Sequence, residues 1–177
     1  MNPYPFPELP ISPSVPPVLG GIRYLVLVRQ AYNRRLLADL DAPGADAAAL
    51  WQAALADGEL VRLGPLQASY RVLPTAPRPA FADRPAPPTA LDYQVTAHLP
   101  PTPAWLSALA TLAERSDLTL WVGTPGHLWW LGPVGISTAL QLPASAGAPV
   151  LAELTLRGQA PAPPTPYPDA LFALAAP

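Results

Sequence analysis

The sequence of 177 residues contains no cysteine, no lysine and only two histidines. Without cysteine the chain has no disulfide framework, no thiolate nucleophile and no Cys-ligated zinc. Without lysine it lacks the GxxxxGK[ST] loop, whose lysine contacts the phosphates of a bound nucleotide. His98 and His127 stand far apart and neither has an acidic neighbour, so the sequence offers too few ligands for a zinc site. We therefore predict no metal and no cofactor.

Charge is also scarce, since charged residues make up 12% of the chain and the net charge is −2. The ten basic residues are all arginines, and Arg34 and Arg35 are the only adjacent pair. A protein that follows a phosphate backbone has a basic stripe, and this sequence has none. Half of the residues are hydrophobic, which argues against a disordered chain.

Long hydrophobic runs are missing as well, since no apolar stretch approaches the length needed to cross a bilayer. The first twenty residues lack the basic start and the continuous apolar centre of a signal peptide. The sequence therefore predicts a soluble product made in the cytoplasm, without membrane insertion.

Proline is abundant, with 28 residues that concentrate at the two ends and between positions 74 and 103. Proline fixes φ and removes a backbone donor, so these segments favour extended conformations. We divide the chain into an N-terminal arm (residues 1–20), a core domain (residues 21–159) with a long loop at 74–90, and a C-terminal arm (residues 160–177). The arms and the loop are either mobile or contacts to a neighbouring subunit. The second interpretation predicts nine interface residues: Tyr4, Phe6, Leu9, Ile11, Arg78, Phe81, Arg84, Tyr167 and Phe172.

Several segments alternate between apolar and polar side chains, as strands with one buried face do. We predict strands from residue 22 onwards, over 59–73 with a break at Gly64-Pro65, and over 91–99. Residues 118–159 have the form of an antiparallel meander, with turns at residues 124–126 and at Gly132-Pro133. The run at 150–157 has Ala152, Leu154 and Leu156 on one face.

Two segments have helical spacing and clear end signals. One begins at the N-cap Asp46 and ends before Gly58, and the other begins at Thr102 with Pro103 in its first turn. Residues 34–40 fit either a strand or a short helical turn, and we favour a strand. The total predicts an α+β fold, a mainly antiparallel β-sandwich or barrel with two flanking helices and extended proline-rich terminal arms.

Catalytic patterns are absent from the sequence. Ser137 is the serine nearest to a nucleophile elbow, but its neighbours alternate as in a strand, and His127 lies at a predicted hairpin. Trp129 and Trp130 must face opposite sides of a strand, so we expect core packing of one and interface burial of the other. We predict no catalytic residue and no enzymatic activity, although spacing alone leaves a hydrolase triad open.

One long stretch resembles a known family. The residues LWVGTPGHLWWLGPVGISTALQLPASAGAPVLAELTLRGQAP are similar to the C-terminal half of tail tube proteins from long-tailed bacteriophages and related injection particles. The resemblance implies a β-sandwich with a flanking helix that assembles into stacked hexameric rings around a DNA conduit, with arms and a loop that bridge neighbours. It covers about a quarter of the chain, and the N-terminal half does not align.

The resemblance and the residues together predict a structural subunit of a phage tail, most simply its tube, that self-assembles in the host cytoplasm and remains in the virion. Its partners would be copies of itself and other tail proteins, and DNA would pass without specific binding. The alternative is a monomeric adaptor whose proline-rich ends dock on partner proteins through polyproline II recognition.

Overall fold

A computed structural model describes residues 21–64, 66–72, 91–99, 101–141, 151–160 and 164–171. These residues form eight strands and three helices, one helix more than the sequence predicted. In chain order the elements are β1 (Tyr24–Arg29), α1 (Gln30–Leu40), α2 (Ala47–Ala56), β2 (Leu60–Leu63), β3 (Gln67–Val72), β4 (Leu91–Leu99), α3 (Pro103–Ala113), β5 (Leu118–Thr124), β6 (His127–Gln141), β7 (Leu151–Ala160) and β8 (Thr165–Pro168).

All strand pairs are antiparallel, and the sheet order is β2-β1-β5-β6-β7-β4-β3, with β8 also paired to β6. The long strand β6 belongs to two layers. Its first half pairs with β5 and β8, and its second half pairs with β7. We call β2-β1-β5-β6-β8 the front layer and β6-β7-β4-β3 the back layer. The predicted antiparallel α+β fold is confirmed, but the sheet is not closed within the described residues, which do not support the barrel alternative.

The two layers share one apolar core. Leu25 and Leu27 of β1 belong to the same buried cluster as Val95 of β4 and Leu154 of β7. Along β4 and β7 these apolar side chains alternate with polar ones, as the sequence predicted. Helix α3 covers one end of this core, since its Trp105, Leu109 and Leu112 are fully or almost fully buried in it. The predicted cap Thr102 accepts a hydrogen bond from the backbone N–H of Trp105.

A second core lies on the other face of the front layer, beneath α1, α2 and the segment 164–171. Trp121 of β5 is at its centre and contacts Trp51 of α2, with ring centroids 5.1 Å apart and planes at 90°. Leu171 is 2% exposed, so the end of the described chain is packed here. The hydroxyl of Tyr24 donates to the carboxylate of Asp169, which also fixes this segment to β1. The face of β1 that alternates with the first core is buried as well, and β1 has a neighbouring strand on each side, β2 and β5.

Helix α1 corrects the strand favoured for residues 34–40. Leu40 follows Leu36 by four residues and Leu37 by three, and in a helix all three meet the second core. The amide oxygen of Asn33 also faces inward and accepts from Trp121 Nε1 at 2.7 Å. The helix begins directly after β1 without a side-chain cap, so the sequence contains no local signal for its start.

The turn predicted at Gly132-Pro133 is also wrong, because β6 continues through both residues. Gly132 has a φ of 105°, and the β5–β6 register shifts between Leu120 and Trp121. These features bend the strand instead of reversing it. Pro133 has no backbone N–H, and the β5 ladder ends there, so the strand changes partner at this point.

The hydroxyl of Tyr93 fixes this bend, since it donates to the carbonyl oxygens of Gly132 at 3.2 Å and Pro133 at 2.9 Å. Burial, with a smaller contribution from Tyr70, raises the pKa of Tyr93 above the ordinary phenol value. The folded chain therefore releases this proton at a higher pH than the unfolded chain. Its contribution to stability is complete below about pH 10 and is lost as the pH rises further.

We expect the urea midpoint of the wild-type protein to fall between pH 8 and pH 11, and that of Tyr93→Phe to fall less. At pH 8 the substitution should cost about 1–3 kcal/mol, because the carbonyl groups of Gly132 and Pro133 lose the donor that they share. An equal fall in both proteins would show that ionisation of Tyr93 does not contribute.

Candidate functional site

The outer face of the back layer is polar and faces solvent. Its described side chains are exposed or half-buried, except for Gln94 at 7% exposure. They come from all four strands and are mostly hydroxyl or amide groups: Ser69, Asp92, Gln94, Thr96, His98, Ser137, Glu153, Thr155, Arg157 and Gln159. Among them are two carboxylates and one arginine, so this face carries almost no net charge.

Hydrogen bonds between neighbouring strands and along β4 order these side chains. Arg157 Nε donates to Gln94 Oε1 at 3.2 Å, and Gln94 Nε2 donates to Thr96 Oγ1 at 3.0 Å. Gln159 Nε2 donates to Asp92 Oδ1 at 2.8 Å. Cross-strand bonds of this kind hold the side chains close to the sheet. The result is a level face of short polar groups.

Both margins of the back layer lack a complete ladder partner within the described residues. Strand β3 pairs with β4, and beyond that it has only one isolated bridge, between Ala68 and Ile22. On the other margin, residues 135–141 of β6 pair with β7 alone. An unpaired strand presents N–H and C=O groups to which another strand can bind. The back layer is therefore open on both sides in the part of the chain that is described.

A cleft of about 370 Å³ opens at the end of the first core opposite α3. Strand β5 begins next to α3 and ends at this cleft. The cleft wall is apolar and aromatic, and its described residues come from β3, β5, β6 and the segments before β1 and β8: Ile22, Tyr70, Val122, Thr124, Trp129, Leu131 and Pro164. None of these residues carries a charge.

Most polar atoms of the cleft are already paired. Trp129 Nε1 donates to Thr124 Oγ1 at 2.9 Å, and Thr124 Oγ1 donates to the carbonyl oxygen of His127 at 3.3 Å. The imidazole of His127 lies beside the indole of Trp129, with centroids 5.9 Å apart. Tyr70 is 39% exposed, and burial raises the pKa of its hydroxyl, which keeps it protonated and able to donate. The site suits a ligand that is apolar and has few donors of its own.

The residues considered for catalysis do not come together. Ser137 donates to the carbonyl oxygen of Thr155 at 3.4 Å, on the exposed face of the back layer. His98 lies two strands away, which is about 10 Å at the usual strand spacing, and His127 lies at the β5–β6 hairpin. The described residues also contain no group of three or more His, Asp or Glu side chains that could hold a metal ion. Absence of enzymatic activity stays a prediction.

Of the nine predicted interface residues, Tyr167 alone lies in the described part of the chain. It is on β8 and half-buried, its ring centroid is 5.2 Å from that of Trp121, and its hydroxyl donates to Asp41 Oδ1 at 3.2 Å. Burial, followed by Asp41, raises its pKa. Tyr167 thus packs on its own chain. The other eight residues lie outside the described residues: Tyr4, Phe6, Leu9, Ile11, Arg78, Phe81, Arg84 and Phe172.

Trp129 and Trp130 face opposite sides of β6, as the sequence required. Trp129 packs against the first core and Trp130 against the second, and both are half-buried. The polar face and the cleft were not predicted from the sequence. Alternation in β4 was a signal for the face, because Asp92, Thr96 and His98 fall between its apolar residues. The cleft gave no local signal, since distant segments contribute its walls.

Comparison of the chain with protein-family models, curated proteins and solved structures found no match. The helices that the structure describes include none with the length and apolar character needed to span a membrane.

Proposed function

We propose that this protein is a self-assembling structural subunit of a phage tail or tail-like particle, most simply of the tail tube. The observation that supports this best is the back layer, which has two open margins and an exposed polar face. An assembly that joins such margins extends the sheet from one copy to the next. The resemblance of residues 120–161 to tail tube proteins gives the assembly its form, a ring stacked around a DNA conduit.

The strand directions allow this joining. The back layer has four strands, each antiparallel to its neighbour, so β3 and β6 run in opposite directions. When β3 of one copy lies beside β6 of the next, the two strands form an antiparallel pair and continue the ladder. This contact is heterologous, since different surfaces of the two copies meet. Repeated contacts of this type close into a ring or continue into a filament.

The exposed face suits the inner wall of such a ring. Hydroxyl and amide groups cover it, and the charged side chains described on it are Asp92, Glu153 and Arg157. A surface whose described side chains carry almost no net charge and include a single arginine does not hold phosphate groups tightly. DNA would therefore slide past it. The other layer, with its two helices, would face outward, where further tail proteins could bind.

The test is a substitution at the open margin of β6. Thr138 is exposed and lies on the side of the strand that faces the core, since it is opposite Leu154. Lysine at such an inward-facing edge position blocks pairing of sheet edges, because a new neighbour would bury its charge. We expect Thr138→Lys to raise the concentration needed for rings at least tenfold, which is about 1.4 kcal/mol. Native mass spectrometry and negative-stain microscopy would measure this.

Thr111→Lys is the matched control, because Thr111 is also exposed but lies on helix α3. It adds the same charge and should leave assembly unchanged. Rings that form equally well with lysine at either position would contradict edge-to-edge assembly. A wild-type protein that remains a monomer at all concentrations would contradict the tube proposal and favour the adaptor.

A further inference from the structure

The cleft beside Trp129 has the features of a site for a proline-rich segment. Grooves that bind polyproline II helices are lined by aromatic side chains, and this cleft presents Trp129 and Tyr70 together with Pro164. Its volume of about 370 Å³ is near the lower end of the range for ligand sites, which suits a short peptide segment. Two polar atoms in its wall, Trp129 Nε1 and Thr124 Oγ1, are already hydrogen-bonded to each other. A segment with few backbone donors therefore loses little when it enters.

The N-terminal sequence of this chain matches that requirement. Seven of its first seventeen residues are prolines, each of which lacks the backbone N–H. A polyproline II helix repeats every three residues, so Tyr4 would share one stripe with four prolines at positions 7, 10, 13 and 16. Phe6 and Leu9 would form the neighbouring stripe. Residues 3–7 (PYPFP) carry no charged side chain, and neither do the described walls of the cleft.

We propose that the cleft of one copy binds the aromatic end of the N-terminal segment, Tyr4 and Phe6, from a neighbouring copy. The occupant comes from another copy because of length. Residues 4–16 measure about 37 Å as a polyproline II helix at about 3.1 Å per residue. This is roughly the width of a domain with a radius of gyration near 14 Å. Ile22 is part of the cleft wall, so a segment that stays extended would hold Tyr4 too far from its own cleft to enter it.

The inference rests on the proposed function for the presence of neighbouring copies, but its binding step is tested without them. A dye-labelled peptide of residues 1–9 (MNPYPFPEL) is titrated into full-length protein with Tyr4→Ala and Phe6→Ala, whose own segment no longer competes. Fluorescence anisotropy should show saturable binding. Tyr70→Ala in the receiving protein should weaken binding at least tenfold. Since Tyr70 is 39% exposed, this substitution leaves the fold intact.

Two controls distinguish binding in the cleft from nonspecific hydrophobic binding elsewhere on the protein. Among the described residues Leu55 is the other large apolar side chain that is well exposed, at 48%, and Leu55→Ala should leave binding unchanged. A peptide with alanine at positions 4 and 6 should bind at least tenfold more weakly. Trp129→Phe, which keeps the cleft apolar but removes the bond to Thr124, is a second variant and should weaken binding severalfold. No binding up to about 1 mM, or equal binding to the Tyr70→Ala protein, would overturn the inference.

Exchange between copies is tested by sedimentation equilibrium with full-length proteins. The Tyr70→Ala protein has an altered cleft but an intact N-terminal segment. The protein with both Tyr4→Ala and Phe6→Ala has an intact cleft but an altered segment. Each alone should associate at least tenfold more weakly than wild type, and an equimolar mixture should regain part of the association. A mixture no stronger than its components would overturn exchange. Because Thr138→Lys blocks rings but not peptide binding, rings without binding would refute this inference alone, and binding without rings would refute the proposed function alone.

Discussion

Replacing Gly158 by alanine should unfold the protein or cost at least about 3 kcal/mol of unfolding free energy. A Cβ atom at this position of β7 would lie 2.0 Å from the carbonyl oxygen of Pro133 and 2.5 Å from the hydroxyl of Tyr93. The first neighbour is backbone and the second belongs to a tyrosine that is 1% exposed, so neither has room to move. The clash falls at the bend where β6 passes from the front layer to the back layer.

Gly135→Ala is the matched control, because Gly135 lies on β6 one residue beyond the partner of Gly158. Its added Cβ would meet nothing closer than the carbonyl oxygen of Arg157 at 3.8 Å. We expect this variant to stay within about 0.5 kcal/mol of wild type. Urea unfolding followed by far-UV circular dichroism would compare the two. If Gly158→Ala were as stable as Gly135→Ala, the close approach of β6 and β7 at the bend would be wrong.

Replacing Trp121 by alanine should cost about 3–5 kcal/mol, as removal of a buried tryptophan usually does. Trp121 has no exposed surface, and its ring lies between those of Trp51 and Tyr167 in the second core. The substitution also leaves the amide of Asn33, which is 3% exposed, without the indole donor. Leaving such a group unpaired adds to the cost of the cavity.

Trp130→Ala tests the same chemistry at a half-buried position, since Trp130 is the cross-strand partner of Trp121. Its Nε1 donates to Thr119 Oγ1 at 3.0 Å, so it also loses one hydrogen bond. We expect a cost of about half that of Trp121→Ala, measured by thermal and urea unfolding. Equal costs would mean that the second core is not centred on Trp121.

The sequence was informative where structure depends on neighbouring residues. Strand β4 has the predicted bounds, and α2 and α3 begin at the predicted caps Asp46 and Thr102. Helix α1 was missed because no capping side chain marks its start, and its apolar side chains become a stripe only against the second core. The turn predicted at Gly132-Pro133 was wrong, since Gly-Pro is compatible both with a turn and with a bend inside a strand. The strands that pair with β6 determine which of the two forms.

The candidate sites also differ in whether neighbouring residues or distant segments determine them. The alternation of apolar and polar residues in β4 and β7 indicates the polar face of the back layer, because each strand supplies its own exposed residues. The open margins depend on which strands pair, and the cleft depends on Ile22, Tyr70 and Trp129 meeting from three distant segments. A local sequence pattern predicts neither which strands pair nor which distant segments come into contact. The interface residues predicted on the arms and the loop remain predictions, apart from the observed packing of Tyr167.

Strand β6 links the open margin mechanically to the cleft. Its fifteen residues span about 50 Å of continuous backbone at about 3.3 Å per residue. A load applied near Gln141, where a neighbouring strand would join, is carried by covalent bonds through the bend to Trp129. The two layers cannot shear past each other without breaking ladder bonds on β6. A displacement of β6 at the contact with a neighbouring copy would therefore be transmitted to the cleft beside Trp129 of its own chain.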